Sequence, residues 1–308
     1  MEWLFISLAL LAAMVFGVAY WTYRKAFYSP KSQEYDIFDI PLEEQYKQDK
    51  ERMVSLIKDM AQTPYEEVCI TSFDGTKLYG RYYHVSDEAP LHIQFHGYRG
   101  TAVRDFCGIN KTARALGHNA LTVDQRAHGK SGSETITFGI KERKDCLCWI
   151  EYACNRFGKQ TEIYLSGISM GAATVIMASG EELPPNVKCV MADCPSSSPE
   201  AIICKVVKDM GYPSKLVMPL MRLGAKVFGK FDLRETTAVE AVKKAKIPIL
   251  IIHGQDDLFV PCQMSEEIYL ARQDLVTRKT FKKAGHGISY IVHTEEYEKT
   301  VIQFLNDL

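Results

Sequence analysis

Past about residue 62 the chain reads as a repeated exchange between two hydrophobic patterns. Short apolar runs bounded by Gly, Asp or Asn alternate with longer stretches in which apolar residues recur every three or four positions. The first pattern predicts strands and the second predicts helices. EEVCITS and KLYGRYYHV flank Phe73-Asp74-Gly75-Thr76, and Asp-Gly between two alternating runs predicts a hairpin. Further strands are expected at LHIQFH from Leu91, NALTVD from Asn119, EIYLSG from Glu162, VKCVMAD from Val187, IPILIIHG from Ile247 and RKTFKK from Arg278. Helices are expected from Ala102 to Leu116, Lys141 to Arg156 and Met170 to Ser179, and after each of the last two strands. Short apolar strands alternating with helices predict an α/β fold with a mostly parallel central sheet covered on both faces. Such sheets place ligands outside the carboxyl ends of their strands. His96, Asp124, Ser169, Asp193, Asp257 and His286 sit at those ends.

Three segments depart from the alternation. From about 195 to 237, two helix-like stretches intervene between strands. In the second, Leu216, Val217, Leu220, Met221, Ala225, Val227 and Phe228 form a broad apolar side, opposite Arg222, Lys226 and Lys230. This predicts a helical cap over the strand ends, whose apolar side could face the substrate or the sheet. Pro219 would suit a first helical turn there. Lys215, Arg222, Lys226 and Lys230 read as a solvated face, with anionic lipid as the alternative contact. Residues 26–61 are polar, with a helical piece from about Leu42 to Met60, and read as a juxtamembrane spacer that could pack on the main domain. Ahead of them, Trp3 to Tyr23 contains no charge and has Trp3 at one end and Tyr20, Trp21 and Tyr23 at the other. As a helix it is about 30 Å long, enough to cross a bilayer's hydrocarbon core, with aromatic anchors at both interfaces. A signal peptide would want a basic start, a shorter apolar run and an Ala-x-Ala-like site. The expectation is a single-pass anchor over 1–25, and then a main domain over 62–308. Arg24, Lys25 and Lys31 follow the span, which places the bulk of the chain in the cytoplasm by the positive-inside rule.

Composition adds constraints. The 308 residues are 46% hydrophobic and 24% charged, with a formal net charge of −1. No global field argues for nucleic acid, and neither low-complexity tracts nor solenoid repeats occur. The nine cysteines are odd in number, lack a Cys-x-x-Cys pair and mostly fall in apolar runs. Reduced, buried thiols in a reducing compartment are expected.

The chemistry centres on Gly167-Ile168-Ser169-Met170-Gly171, between a strand and a helix. There the turn is so sharp that small residues must flank the serine, and Gly167, Gly171, Ala172 and Ala173 supply them. A serine hydroxyl needs a base to take its proton. His286, in KKAGHGIS just after a strand, is the candidate, and either Asp256 or Asp257, in IIHGQDDLFVP, could orient it. The order Ser, Asp, His is that of a nucleophile elbow. His92 and His96 are four apart on a strand, not the compact pair of a helical metal motif, so no metal site is expected. His128 reads as a hydrogen-bonded turn residue, and Asp145 and Trp149 as facing the sheet from a helix. No glycine-rich phosphate cradle remains once the elbow is accounted for, and no cofactor is implied.

With these motifs the chain resembles the α/β-hydrolase superfamily over roughly Tyr65 to Leu308, and within it membrane-anchored or secreted bacterial hydrolases of the esterase and acyl-peptidase type. The stretch from His253 to Pro261 is similar to the family's His-Gly-x-x-Asp-x-x-Val-Pro, which implies Asp257 rather than Asp256 as the acid. His96-Gly97-Tyr98-Arg99-Gly100 is similar to the family's oxyanion loop. Asp124 to Gly132 is similar to its Asp-x-Arg-Gly-His-Gly-x-Ser turn, with Ala127 where glycine is usual. The resemblance implies a Ser169–His286–Asp257 triad, an oxyanion hole from the backbone N–H groups of Tyr98 and Met170, and loop support from His96 and Gly97.

These observations predict a serine hydrolase that cleaves a small-molecule carboxylic ester, thioester or amide through an acyl-enzyme. A serine peptidase and an acyltransferase could use the same triad. The rival of another class is a non-catalytic, membrane-tethered binding scaffold. Oligomeric state has no signature in the sequence.

Overall fold

The structure is a computed structural model that describes residues 1–30, 36–40 and 44–308. Lys31 and Leu42, part of the expected spacer, lie outside the described residues. The strands are β1 (Glu66–Thr71), β2 (Lys77–Tyr83), β3 (Leu91–Phe95), β4 (Asn119–Val123), β5 (Ile163–Ile168), β6 (Val187–Asp193), β7 (Ile249–Gly254) and β8 (Val276–Phe281). They form one sheet in the order β1-β2-β4-β3-β5-β6-β7-β8. β1, β2 and β4 pair antiparallel, and every pairing from β4 through β8 is parallel. The expected hairpin closes with Ser72 N–H donating to Thr76 O and Gly75 at φ 84°.

The helices are α1 (Glu2–Ala26), α2 (Glu44–Lys47), α3 (Lys50–Gln62), α4 (Ala102–Ala115), α5 (Glu142–Phe157), α6 (Met170–Ser179), α7 (Pro199–Asp209), α8 (Ser214–Val227), α9 (Ala238–Val242), α10 (Cys262–Ala271), α11 (Ser289–Val292) and α12 (Thr294–Asn306). Because side chains alternate across a strand, the sheet feeds two cores. Ile93, Leu121, Val190 and Ile251 pack with Trp149 of α5, Ile176 of α6 and Val242 of α9. Ala120, Met191, Leu250 and Ile252 pack on the other face with Ile57 of α3, Phe106 of α4 and Tyr297 and Val301 of α12. Fully burying one such large apolar side chain contributes ~1.5–3 kcal/mol.

The structure refines the sequence reading at four places. The helical piece of the spacer is two helices, α2 and α3; α3 packs on the main domain, as the sequence reading allowed, through Met53, Ile57 and Met60. Pro219 lies in the second turn of α8 and not in its first. The helix tolerates it there because the ring points to solvent and only one backbone bond is lost. The apolar side of α8 does not choose between substrate and sheet. Much of it packs on the C-terminal turns of α1: Tyr23, Phe27, Met218, Met221 and Ala225 share one cluster. A Cβ on Gly224 would meet Ala19 O at 2.4 Å, so only glycine lets the two helices approach this closely. Arg222 is drawn off the solvated face by an ion pair with Glu200 of α7.

α1 is long and apolar enough to cross a membrane. It stands largely exposed up to Val18, and buries Ala19, Thr22 and Tyr23 against the rest of the chain.

Candidate active site

Ser169 ends the turn between β5 and α6 with φ 56° and ψ −115°, a backbone region that residues with a Cβ rarely enter. The surroundings force it. A Cβ on Gly167 would lie 2.3 Å from Gly171 O, and one on Gly171 would lie 1.8 Å from Phe95 O. The elbow can therefore wedge against β3 only with glycine at both positions. Ser169 N–H donates to Asp193 O across to β6, which fixes the corner.

His286 follows β8 in a loop, 117 residues downstream, and its Nε2 lies 2.9 Å from Ser169 Oγ. Its Nδ1 lies 2.7 Å from Asp257 Oδ2. With the proton on Nδ1, the imidazole donates to the carboxylate and accepts from the hydroxyl. Asp256 is exposed and only its backbone N–H is engaged, with Ala284 O, so the adjacent carboxylates are separated by the turn after β7. Asp257 Oδ1 accepts the N–H groups of Phe259 and Val260, at 2.9 and 2.8 Å. Burial alone would raise the Asp257 carboxyl, but His253 and His286 outweigh it and hold the group well below the usual carboxylate range. A hydroxyl, an imidazole and an ionised carboxylate in this chain can activate the hydroxyl as a nucleophile.

Tyr98 and Ser169 line the same two cavities. The loop carrying Tyr98 is pinned on both sides. Gly97 N–H donates to Asp105 Oδ2 at 2.8 Å, and Arg99 N–H donates to His128 Nε2 at 3.0 Å. His96 is buried, with Nδ1 on Gly97 O and Nε2 accepting from Gln125 N–H. Met170 is the first residue of α6, where helix geometry leaves the N–H without an intrahelical acceptor.

Other sequence candidates have structural partners. His92 Nε2 lies 2.9 Å from His118 Nδ1 and does not meet His96. Ala127 takes φ 62°, which explains why glycine would suit the position. The neighbouring Arg126 is buried and forms a two-toothed pair with Asp145, at 2.7 and 2.6 Å, under the same loop. Trp149 faces the sheet as expected. Cys194, Asp257 and His286 present potential metal-ligand atoms within 4.8 Å of one another. In that set both imidazole nitrogens of His286 are already engaged, Nδ1 with Asp257 and Nε2 with Ser169.

Several contributors had no role assigned to them from the sequence. Tyr46 of α2 donates its hydroxyl to His286 O at 3.0 Å. His253, visible only as the first letter of its motif, bridges Val260 O at 2.9 Å and Asp257 Oδ2 at 3.3 Å. Asp193 is buried, one of its carboxyl oxygens has no partner, and burial pushes its pKa up to about 6. The end of α1 reaches the site: Tyr98 Oη donates to Ala26 O at 2.9 Å, and Arg99 donates to Lys25 O at 3.1 Å.

The chain is 28% identical over 194 residues to YqkD of Bacillus subtilis, described as an uncharacterized protein. That stretch is 63% of this chain and spans 64% of the relative's length. Among solved structures, the Pyrococcus furiosus esterase Pf2001 superposes with a TM-score of 0.65 at 24% identity, covering 81% of this chain and 93% of the esterase. The acylaminoacyl peptidase of Pyrococcus horikoshii superposes with a TM-score of 0.60 at 20% identity, covering 82% of this chain and 43% of the peptidase. At such identities these two likenesses speak to the fold, which is that of the α/β-hydrolases. The profile of the prolyl oligopeptidase family matches residues 137–308, more than half of the chain, and the matched span contains Ser169, Asp257 and His286. On that match, this α/β-hydrolase belongs to the prolyl oligopeptidase family.

Proposed function

We propose that the protein is a membrane-anchored serine hydrolase that cleaves carboxylic esters through an acyl-enzyme. The observation that carries this reading is the unbroken chain from Ser169 Oγ to His286 at 2.9 Å and on to Asp257 at 2.7 Å. In this reading Ser169 attacks the acyl carbon while His286 Nε2 takes its proton, and Asp257 holds the imidazole's tautomer and stabilises its charged form. The tetrahedral oxyanion would be met by the N–H groups of Met170 and Tyr98, each worth on the order of 3 kcal/mol to the transition state. His286 then protonates the leaving alcohol, and water releases the acid by the reverse sequence of proton transfers.

Amide cleavage is the second reading, favoured by the family match. A fluorophosphonate probe on the full-length protein in detergent tests the nucleophile. Labelling is expected at Ser169 and should vanish in Ser169→Ala; equal labelling of the variant would remove the reading. Nitrophenyl esters set against aminoacyl amides separate the two activities. The proposed topology has α1 in the bilayer and the hydrolase domain in the cytoplasm, in keeping with nine unpaired cysteines. Protease added to intact cells should leave the domain whole, and its digestion would reverse the orientation.

A further inference from the structure

We infer that the ester is a membrane glycerolipid whose acyl chain reaches Ser169 through a cavity walled in part by the anchor helix itself. This rests on the serine-hydrolase reading above and adds the substrate class.

Two cavities meet at Ser169, and Tyr98 and Phe259 line both. They differ in chemistry. The smaller, of about 230 Å³, lies on the α4 side and sets Arg104, Asp105 and His286 among apolar groups such as Met53, Ile109 and Ile291, so it is the more polar of the two. The larger, of about 490 Å³, is walled by Ile203 and Val207 of α7, Met221 of α8, Phe138, and Trp21 and Ala26 of α1. That volume falls within the ~300–1,000 Å³ that buries a ligand-sized group, and most of its wall is hydrocarbon. An acyl chain suits the larger cavity, and a polar leaving alcohol suits the smaller.

The anchor is built into this wall. Ala19 is fully buried against Gly224 of α8, and Ala26 O accepts the hydroxyl of Tyr98, the residue beside the proposed oxyanion site. The part of α1 that remains clear of the domain, Glu2–Val18, is about 25 Å of helix at ~1.5 Å per residue. A bilayer's hydrocarbon core is about 30 Å thick. If α1 spans, its packed turns and the adjoining cap are therefore drawn down to the headgroup layer. The cap meets that layer with apolar side chains. Met210 is 64% exposed and Tyr212 46%, both line the larger cavity, and Leu216 beside them is 70% exposed. Lys208 and Lys215 flank this turn. An apolar cavity whose rim is apolar and held at the membrane surface can accept an acyl chain without passing it through water.

Reaction follows the proposed chemistry. Ser169 Oγ bonds to the acyl carbon as the ester C–O bond breaks, His286 carries the proton to the lipid alcohol, and water then releases the fatty acid.

The test uses wild-type, full-length protein reconstituted in phosphatidylglycerol–phosphatidylcholine vesicles, with a hexadecyl fluorophosphonate that carries a diazirine on its alkyl chain. Ser169 labelling followed by photolysis should crosslink to α1 and the cap, at peptides containing Trp21, Val207 or Met221. Labelling at Ser169 with crosslinks confined to α3 and α4 would overturn the inference and leave the hydrolase reading standing. Failure to label Ser169 would remove both. A second arm measures release of fatty acid from phosphatidylglycerol. Lipid in the protein's own vesicles should be cleaved faster than lipid in separate vesicles by a factor on the order of 10², the gain in effective concentration from sharing one membrane. Equal rates would mean the ester arrives from solution, and would sink the proposal. Ile203→Trp, which fills the cavity, should shift the long-chain to acetate ratio of kcat/KM toward acetate; an unchanged ratio in folded protein counts against it.

Discussion

The elbow predicts that two variants equally poor in activity will differ in stability. Ser169 sits at φ 56° and ψ −115°, and its side chain makes no cap hydrogen bond to α6. A residue with a Cβ in such a region is strained by ~1–3 kcal/mol. Ser169→Gly removes the strain. It also frees the unfolded chain, which costs ~0.4–1 kcal/mol, and loses the hydrogen bond to His286, worth ~0.5–1.5 kcal/mol. Ser169→Ala loses the same hydrogen bond but keeps the Cβ and so keeps the strain. The comparison of the two variants isolates the backbone term. Ser169→Gly should be more stable than Ser169→Ala by about 0.5–2 kcal/mol, while both lose activity by a factor on the order of 10⁶. The assay is guanidinium unfolding of the full-length protein in one fixed detergent, followed through Trp149, which is buried in the core. A Ser169→Gly variant less stable than Ser169→Ala by the ordinary glycine penalty of ~0.5–1 kcal/mol would show that the corner is unstrained, and the account of the elbow would fail.

Three further outcomes are expected. Gly171→Ala drives a Cβ to within 1.8 Å of Phe95 O, so the elbow must move off β3; stability should fall by ~1–3 kcal/mol and esterase kcat/KM by on the order of 10² for a shift of about 1 Å. Arg126→Met leaves Asp145 buried without its cation and should cost ~3–5 kcal/mol in a denaturant titration, whereas Arg126→Met with Asp145→Leu should recover most of that loss. Asp193 has a folded pKa near 6 against ~3.9 unfolded, so the folded state holds the extra proton between about pH 4 and 6. Its contribution is therefore lost as pH rises through that window, by on the order of 3 kcal/mol at ~1.4 kcal/mol per unit. Asp193→Asn should flatten this slope in midpoints measured from pH 4 to 7; parallel curves for variant and wild type would refute the assignment.

What local chemistry dictates was legible in the residues themselves. Strand and helix periods follow from the geometry of a few consecutive residues, so the alternation that builds the sheet could be read from Tyr65 onward. Gly167 and Gly171 announce the elbow because the steric demand of that corner falls on its immediate neighbours. The glycine turn around Ser169 and the place of His286 after a strand were enough to nominate those two, and the resemblance to the α/β-hydrolases added Asp257. Distance between segments was not legible. Local chemistry does not separate Asp256 from Asp257, which only the motif resemblance told apart; physically, the turn after β7 buries one and exposes the other. Tyr46, which holds the backbone of His286 from 240 residues away, has no local signature. The apolar stripe of α8 states that a face must be covered, but cannot state by what. That it meets the end of α1, and that α1 in turn meets the loop beside Ser169, depends on contacts among chain segments far apart in sequence. A stripe of side chains carries only its own hydrophobicity, whereas its partner is chosen by the packing of the whole molecule.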